Sequence, residues 1–503
     1  MLETTLAMLD KWALLIAVLL PLVAVIKIAT LQERFKNLRE AAILTISTLT
    51  FAVVLYVYRT YSLGDVSLSL TLFEIMPGLT IALHAEALGL IFALVASSLW
   101  VVATIYSIGY MRGNNEANQS RFYACFAVAI TASLGIAFSA NLLTLFLFYE
   151  LMTICTYPLV AHHQTLVAKR GARTYLGLLM GLSILLLLPA IIGIWYLTGT
   201  LDFTSGGILE SDTSAGIIAL LLFLVMYGVG KAALMPAHRW LPAAMVAPTP
   251  VSALLHAVAV VKAGVFCLIK IVVYIFGIDT LSTVSEHGLF YGQWVMYAAG
   301  FTVIAASCVA LAQDNLKKRL AYSTISQLSY VILALSLFSP LGVIAAGFHI
   351  AAHAFGKITL FFAAGSIYTA SKKKNVSELD GIGKQMPWTM TAFAIGSLSM
   401  IGIPPAAGFI TKWYMLDGAF AGNQLFVVGV IILSTLLNAM YFLPIVARAF
   451  FAEDKSTASL KNKKHGEANP AIVIALTITA AGTLLLGLQP DIILSLAEKI
   501  GVN

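Results

Sequence analysis

The sequence is short of charge. Asp, Glu, Lys and Arg make up only 11% of its 503 residues, while 60% are hydrophobic. A water-soluble domain carries roughly 25% charge to keep a polar skin. Mean hydropathy is +0.92 over the whole length, which excludes an ordinary soluble enzyme. The formal net charge of +7 fits basic loops on one membrane face better than a nucleic-acid site, and no nucleic-acid partner is expected. Cysteine is scarce too: Cys125, Cys155, Cys267 and Cys308 sit in apolar runs and form no CxxC pair. Disulfides, a zinc knuckle and an iron–sulfur cluster are therefore unsupported. P-loop and dinucleotide-binding signatures are also missing, so no cofactor is expected and the chain is not expected to be an enzyme by itself.

What is present is a succession of apolar runs. A transmembrane helix needs about 20 mostly apolar residues to cross roughly 30 Å of hydrocarbon. By that measure the candidate spans are 12–28, 41–58, 83–108, 122–138, 142–160, 175–197, 215–235, 250–276, 290–312, 320–338, 341–368, 388–418, 425–451 and 471–496. The first lacks the basic flank and small-residue cleavage site of a signal peptide and is expected to be retained. The expected fold class is all-α and membrane-embedded, with about fourteen transmembrane helices. Alternate loops, starting with the first, hold 20 Lys and Arg, whereas the termini and the opposite loops hold only Lys11, Arg59 and Lys499. The positive-inside rule then puts the first set in the cytoplasm and both termini on the periplasmic or extracellular side of a cell (inner) membrane.

Seven basic residues remain inside the spans. Lys27, Lys270 and Arg448 lie near span ends and read as snorkelling side chains. The others do not. A charge at the bilayer centre costs at least about 2.5 kcal/mol, so an intramembrane ionisable group is a functional candidate. Glu150 falls mid-way along the fifth span, Lys231 interrupts the seventh and Lys262 centres the eighth. His349, His353 and Lys357 follow one another at intervals of four, one stripe of a helix and a ladder of titratable groups. Lys412 follows the broken stretch GIPPAAGFITKW. His256 and Lys262 are six apart, about 240° around an ideal helix, so coupling them needs a helix irregularity, a water or a third group.

Two spans carry breaks. Pro236, Pro242, Pro248 and Pro250 fall between the seventh and eighth, and Gly402, Pro404, Pro405 and Gly408 within the twelfth. Each break lies close to a lysine, Lys231 or Lys412. Their segments are five spans apart, and a repeat of odd helix number inserts with inverted topology. Paired broken helices point to an ion site.

The phrases KAALMPAHRWLPAAMVAPTPVSALLHAVAVVKAGVF, DNLKKRLAYSTISQLSY, HAFGKITLFFAAGS and IPPAAGFITKW resemble the proton-conducting antiporter-like family. That family comprises the two large antiporter-like components (types A and D) of Mrp Na+/H+ antiporters, the antiporter-like subunits of respiratory complex I and membrane-bound hydrogenase subunits. The resemblance runs from about the third span to the thirteenth. It implies N-terminal helices over 1–121, inverted five-helix repeats over 122–276 and 290–451, and a C-terminal loop and helix over 452–503. It also implies that Glu150, Lys231, Lys262, His349, His353, Lys357 and Lys412 lie on a proton path, helped by His256, with Glu150 paired to Lys231. Glu86, where many relatives have aspartate, is expected to be a packing residue. Lysine at 412, the phrases AVVKAGVF and SELDGIGKQMPW, and a chain stopping soon after the fourteenth span resemble the D-type Mrp component. The implied function is proton translocation in a multisubunit Na+/H+ antiporter, with H+ and Na+ as cargo and other membrane subunits as partners. The alternatives are a redox-driven complex of the complex I or hydrogenase type and a self-sufficient transporter.

Overall fold

A computed structural model describes residues 2–31, 33–64, 68–210, 213–453 and 466–501; the side chains of residues 2–9 and of His256 lie outside the described set. Helices α1 (Leu2–Leu31) and α2 (Lys36–Leu63) open the chain, and α3 (Ala87–Gly113), α4 (Gln119–Ala137) and α5 (Leu142–Val160) follow. The next span is α6 (Leu166–Leu182) joined to α7 (Leu188–Thr198) through a π-helical turn, Ser183–Leu187. The first break lies beyond α8 (Ala215–Gly228), where a short 3-10 turn, Gly230–Ala232, and α9 (Trp240–Ala243) replace regular helix. The eighth span is a composite of α10 (Thr249–Ala253), a π turn Leu254–Val258, α11 (Val260–Ile271) and a second π turn Val272–Phe276. It meets α12 (Ile278–Glu286) at a bend of 83°.

The second half holds α13 (Trp294–Ala312), α14 (Leu316–Leu335) and the 32-residue α15 (Pro340–Ser371). After the short α16 (Ile382–Gln385), α17 (Pro387–Ile401) and α18 (Gly408–Ala421) flank the second break. Helices α19 (Leu425–Phe451), α20 (Pro470–Leu488) and α21 (Asp491–Ala497) complete the chain. Among the described residues, ten helices are long and apolar enough to cross a membrane, or up to 11 with the bent pair counted as one. The remaining expected spans are also helical but broken, short or polar: α8, α14 and the α17–α18 pair. The all-α membrane fold is thus the observed one, with one addition. Strands β1 (Ser69–Met76) and β2 (Leu79–His84) form an antiparallel hairpin between α2 and α3.

Local chemistry explains the helix starts. Asn141, Thr165, Asn315 and Ser339 each accept a hydrogen bond from a backbone N–H in the first turn of α5, α6, α14 and α15, meeting donors that a helix leaves open. Pro340 opens α15, where a missing N–H costs nothing. That helix is the axis of the molecule: 94% of its apolar window is buried, against α3, α10, α14, α17, α18 and α20. A helix buried all round is placed to carry polar groups out of reach of lipid.

Lys270 corrects the snorkelling expectation. Its side chain is 1% exposed, and Nζ lies 2.7 Å from Glu86 Oε1 and donates to Ser139 O at 2.6 Å. The α4–α5 turn and the start of α3 close over it, so this lysine turns inward to a carboxylate. Glu86 is correspondingly an ion-pair partner. Lys27 is exposed, and Arg448 pairs in the open with Asp380 at 2.7 Å, as side chains at span ends do.

Candidate functional site

The first break brings Lys231 against α5. Its side chain is fully buried, and Nζ donates to Tyr149 O at 2.8 Å and to Thr153 Oγ1 at 2.6 Å, lying 3.0 Å from the Tyr149 ring centre. The expected contact with Glu150 is not made: no ion pair joins the two within 4.0 Å among the described residues. Both carboxylate oxygens of Glu150 are buried and accept no hydrogen bond there. The reason is rotational. Residue 150 is about 100° round the helix from 149, and Leu147, Leu151 and Ile154 on its side of α5 are exposed. The backbone freed by the break is held by side chains: Gly230 O accepts from Trp240 Nε1 at 2.9 Å, and Met235 N donates to Thr302 Oγ1 at 3.2 Å. That is the condition for irregular backbone at membrane depth.

Helix α11 passes the break at Gly264, where a Cβ would overlap the backbone of Lys231 and Ala232. Two residues earlier, Lys262 points instead to α15. Its Nζ lies 2.7 Å from His353 Nδ1, and both side chains are fully buried. The π turn Leu254–Val258 contains residue 256 and ends four residues before Lys262, the kind of irregularity their spacing demands; the His256 side chain itself is outside the described set.

The stripe on α15 is buried along its length and meets a different partner at each step. His349 and His353 have ring centres 5.7 Å apart, and His349 Nδ1 lies 3.2 Å from Thr411 Oγ1 on α18. Lys357 Nζ donates to Ser323 Oγ on α14 at 2.8 Å. Tyr441 OH donates to the same Ser323 oxygen at 3.1 Å and is also bonded to Asn438. Lys357 therefore leads into a hydroxyl and amide cluster rather than directly to a charged group.

At the second break, Gly402 caps α17 in the left-handed region (φ +84), and Pro404 and Pro405 prevent the helix from resuming at once. The carbonyls it exposes are accepted into the site. Met400 O receives Gln327 Nε2 at 3.3 Å and Asn438 Nδ2 at 3.2 Å, and Ile401 O receives Lys412 Nζ at 2.6 Å. Lys412 also donates to Thr435 Oγ1 at 2.6 Å, with the Tyr330 ring centre 5.2 Å away.

The buried titratable residues of the sequence stripe are thus joined to neutral polar groups that the charge pattern did not single out: Tyr149, Thr153, Ser323, Thr411, Thr435, Asn438 and Tyr441. Part of the signal was available. Span 320–338 contains Ser323, Ser326, Gln327, Ser329 and Tyr330, a polar density that lipid would not tolerate.

Residues 139–438 match the family model described as NADH:quinone oxidoreductase/Mrp antiporter, transmembrane. The chain belongs to this family. It is an antiporter-like membrane subunit. It is 34% identical over 359 residues to NAD(P)H-quinone oxidoreductase chain 5 of Synechocystis sp., covering 68% of this chain and 50% of that one. It is also 34% identical over 358 residues to NADH-quinone oxidoreductase subunit N of Desulforudis audaxviator, covering 70% and 69%. The chain spans about half the length of several of the curated relatives it matches, such as the first of these. Its fold is similar to chains of two solved assemblies. One is the membrane-bound sulfane sulfur reductase, an archaeal respiratory membrane complex (TM-score 0.84, 24% identity, 97% of each chain). The other is the Mrp complex from Dietzia sp. (TM-score 0.84, 20% identity, 98% and 97%).

Proposed function

We propose that this chain conducts protons across the membrane as one subunit of a hetero-oligomeric complex. The observation that carries the reading is the Lys262–His353 contact, a buried amine and a buried imidazole 2.7 Å apart on two different spans. Each can hold or release a proton. In this reading Lys231 holds a proton at the first break and Glu150, one residue from its carbonyl ligand, biases that charge. The proton moves through Lys262, with His256 assisting, to His353 and along the stripe that His349 and Lys357 continue on either side of it, and leaves by Lys412 at the second break. Every step is a proton passing between nitrogen bases and hydroxyls; no bond to carbon forms or breaks. In this reading the two inverted repeats that the resemblance implies, 122–276 and 290–451, each contribute one break and two lysines to the path, Lys231 and Lys262 from the first and Lys357 and Lys412 from the second.

Two kinds of complex would drive it. Lysine at 412 and the phrases AVVKAGVF and SELDGIGKQMPW favour a role like that of the D-type Mrp component, exchanging H+ for Na+. The names of the curated relatives, subunits of quinone oxidoreductases, favour a redox-driven complex, and that is the reading we adopt for the partner. The test is proton movement in inverted membrane vesicles, with and without Na+, together with the identity of co-purifying subunits. Quinone- or hydrogen-reactive and iron–sulfur partners support the redox assignment. Na+-dependent proton movement with small Mrp-type partners assigns the chain to the antiporter instead. Wild-type proton movement in Lys262→Met membranes would refute conduction altogether.

A further inference from the structure

A cavity of about 300 Å3 opens at the face that bears the basic loops, away from the buried stripe. Lys317, Lys373, Lys374 and His163 line it together with the phenols Tyr110 and Tyr368. Its carboxylate is Glu116, which lies 3.6 Å from His163 Nδ1. None of the three lysines has a carboxylate within 4.0 Å among the described residues. Lys317, half-buried, donates to the neutral Ala247 O at 2.5 Å.

The acids closest along the chain are already committed. Asp314 accepts from Ser377 N and Oγ at 2.9 and 2.8 Å, and Glu378 accepts from the backbone of Lys374 and Asn375 at 2.9 and 2.8 Å. Those bonds fix the cavity wall. Leu316 N donates to Lys374 O at 3.0 Å and Val376 N to Asp314 O at 2.7 Å, tying the loop after α15 to the start of α14. The lysines are therefore held at fixed stations, on a wall whose single carboxylate, Glu116, cannot balance three ammonium groups.

Three ammonium groups around one cavity, those of Lys317 and Lys373 partly buried, with Glu116 as the cavity's one carboxylate, call for an anion from outside. Three point-charge donors and two phenols call for one with several acceptor oxygens and at least one negative charge, which describes a phosphate group. Basic pockets between transmembrane helices on the cytoplasmic side take the headgroups of anionic lipids for the same reason. We propose that this cavity binds a phosphate group, carried either by an anionic phospholipid or by free phosphate.

The test uses the assembled complex in nanodiscs of phosphatidylcholine, titrated with radiolabelled inorganic phosphate. A parallel set contains phosphatidylglycerol, with retained lipid measured by native mass spectrometry. Saturable binding is expected in one arm, which identifies the source. It should weaken at least tenfold in Lys317→Gln/Lys373→Gln/Lys374→Gln. It should also weaken severalfold in Lys374→Gln alone, whose exposed position leaves folding intact if the triple variant fails to assemble. Lys318→Gln, exposed on the same helix and outside the cavity, should bind like wild type. No saturable binding in either arm, or binding unaffected by Lys374→Gln, overturns the proposal.

Discussion

Lys262 Nζ and His353 Nδ1 stand 2.7 Å apart, joining α11 to α15 in the interior of the membrane domain. At that separation one of the two nitrogens donates and the other accepts, so the pair is built to hold one proton between them rather than two. Lys262→Arg keeps a charge and a donor but cannot give a proton up, because the guanidinium pKa exceeds about 12. The variant should assemble and lose at least tenfold in proton movement across inverted vesicles. His353→Ala should be as damaging, whereas Ile350→Leu, a buried change of equal volume on the same helix, should be nearly silent. Wild-type rates in Lys262→Arg would make the lysine a packing element.

At the first break, the oxygen partners of Lys231 are Tyr149 O and Thr153 Oγ1. Thr153→Val removes one of them without changing shape. Because a buried ammonium left short of an acceptor costs roughly 1–3 kcal/mol, transport should fall five- to a hundredfold, with the complex still assembled. Lys231→Ala should abolish it. Glu150→Gln should slow turnover while leaving the Lys231 contacts in place, since the carboxylate acts at a distance.

Lys270 separates structure from transport. Lys270→Met strands Glu86 beside an apolar side chain, and breaking a buried pair typically costs about 3–5 kcal/mol. Thermal unfolding of the complex should move down by several degrees. The double variant Lys270→Met/Glu86→Leu should recover most of that loss. A single variant as stable as wild type would mean that the pair contributes nothing to the fold.

Gly402 is required by its own backbone and by its neighbour. At φ +84 an alanine is strained by about 1–2 kcal/mol, and its Cβ would stand 2.6 Å from Lys412 Cδ. Gly402→Ala should therefore lower both stability and proton movement by displacing the terminal lysine. Gly429→Ala, with nothing within 4 Å of the added carbon, is the matched control and should change neither.

The turn after α5 supplies a pH dependence outside the membrane spans. Burial, followed by the neighbouring His163 and Arg121, pushes His162 down to about 4. An unfolded histidine takes up its proton near pH 6.5, so between pH 6.5 and 4 the unfolded chain binds more protons than the folded one. Stability should be full above pH 6.5 and decline as pH falls toward 4. His162→Gln should flatten that part of the profile in thermal unfolding measured against pH.

The sequence made the buried charges legible because lipid makes them costly: the stripe 349, 353 and 357, the two broken spans and their lysines all appear where hydropathy and spacing locate them. Direction was less legible than position. Lys270 and Lys27 both stand near span ends, yet one turns to Glu86 and the other to the outside, and only the closure of the α4–α5 turn distinguishes them. Helical phase likewise hid that Thr153, four residues after Tyr149, and not Glu150, faces Lys231. The β1–β2 hairpin went unread because its strands alternate weakly: seven of the eight residues of β1 are exposed. Neutral partners such as Ser323 and Tyr441 carry no cost large enough to mark them in a sequence.

The π turn at Leu254–Val258 makes chain length part of the site. A π turn holds one residue more than the α-helical turn it replaces, and each residue carries about 100° of rotation. Removing a single residue such as Ala259 would keep every titratable group and the hydropathy of the span, yet re-clock Lys262 away from His353. The segment between Thr249 and Val260 therefore tolerates substitution far better than insertion or deletion, and a relative with one residue more or fewer there must find its imidazole partner on a different face.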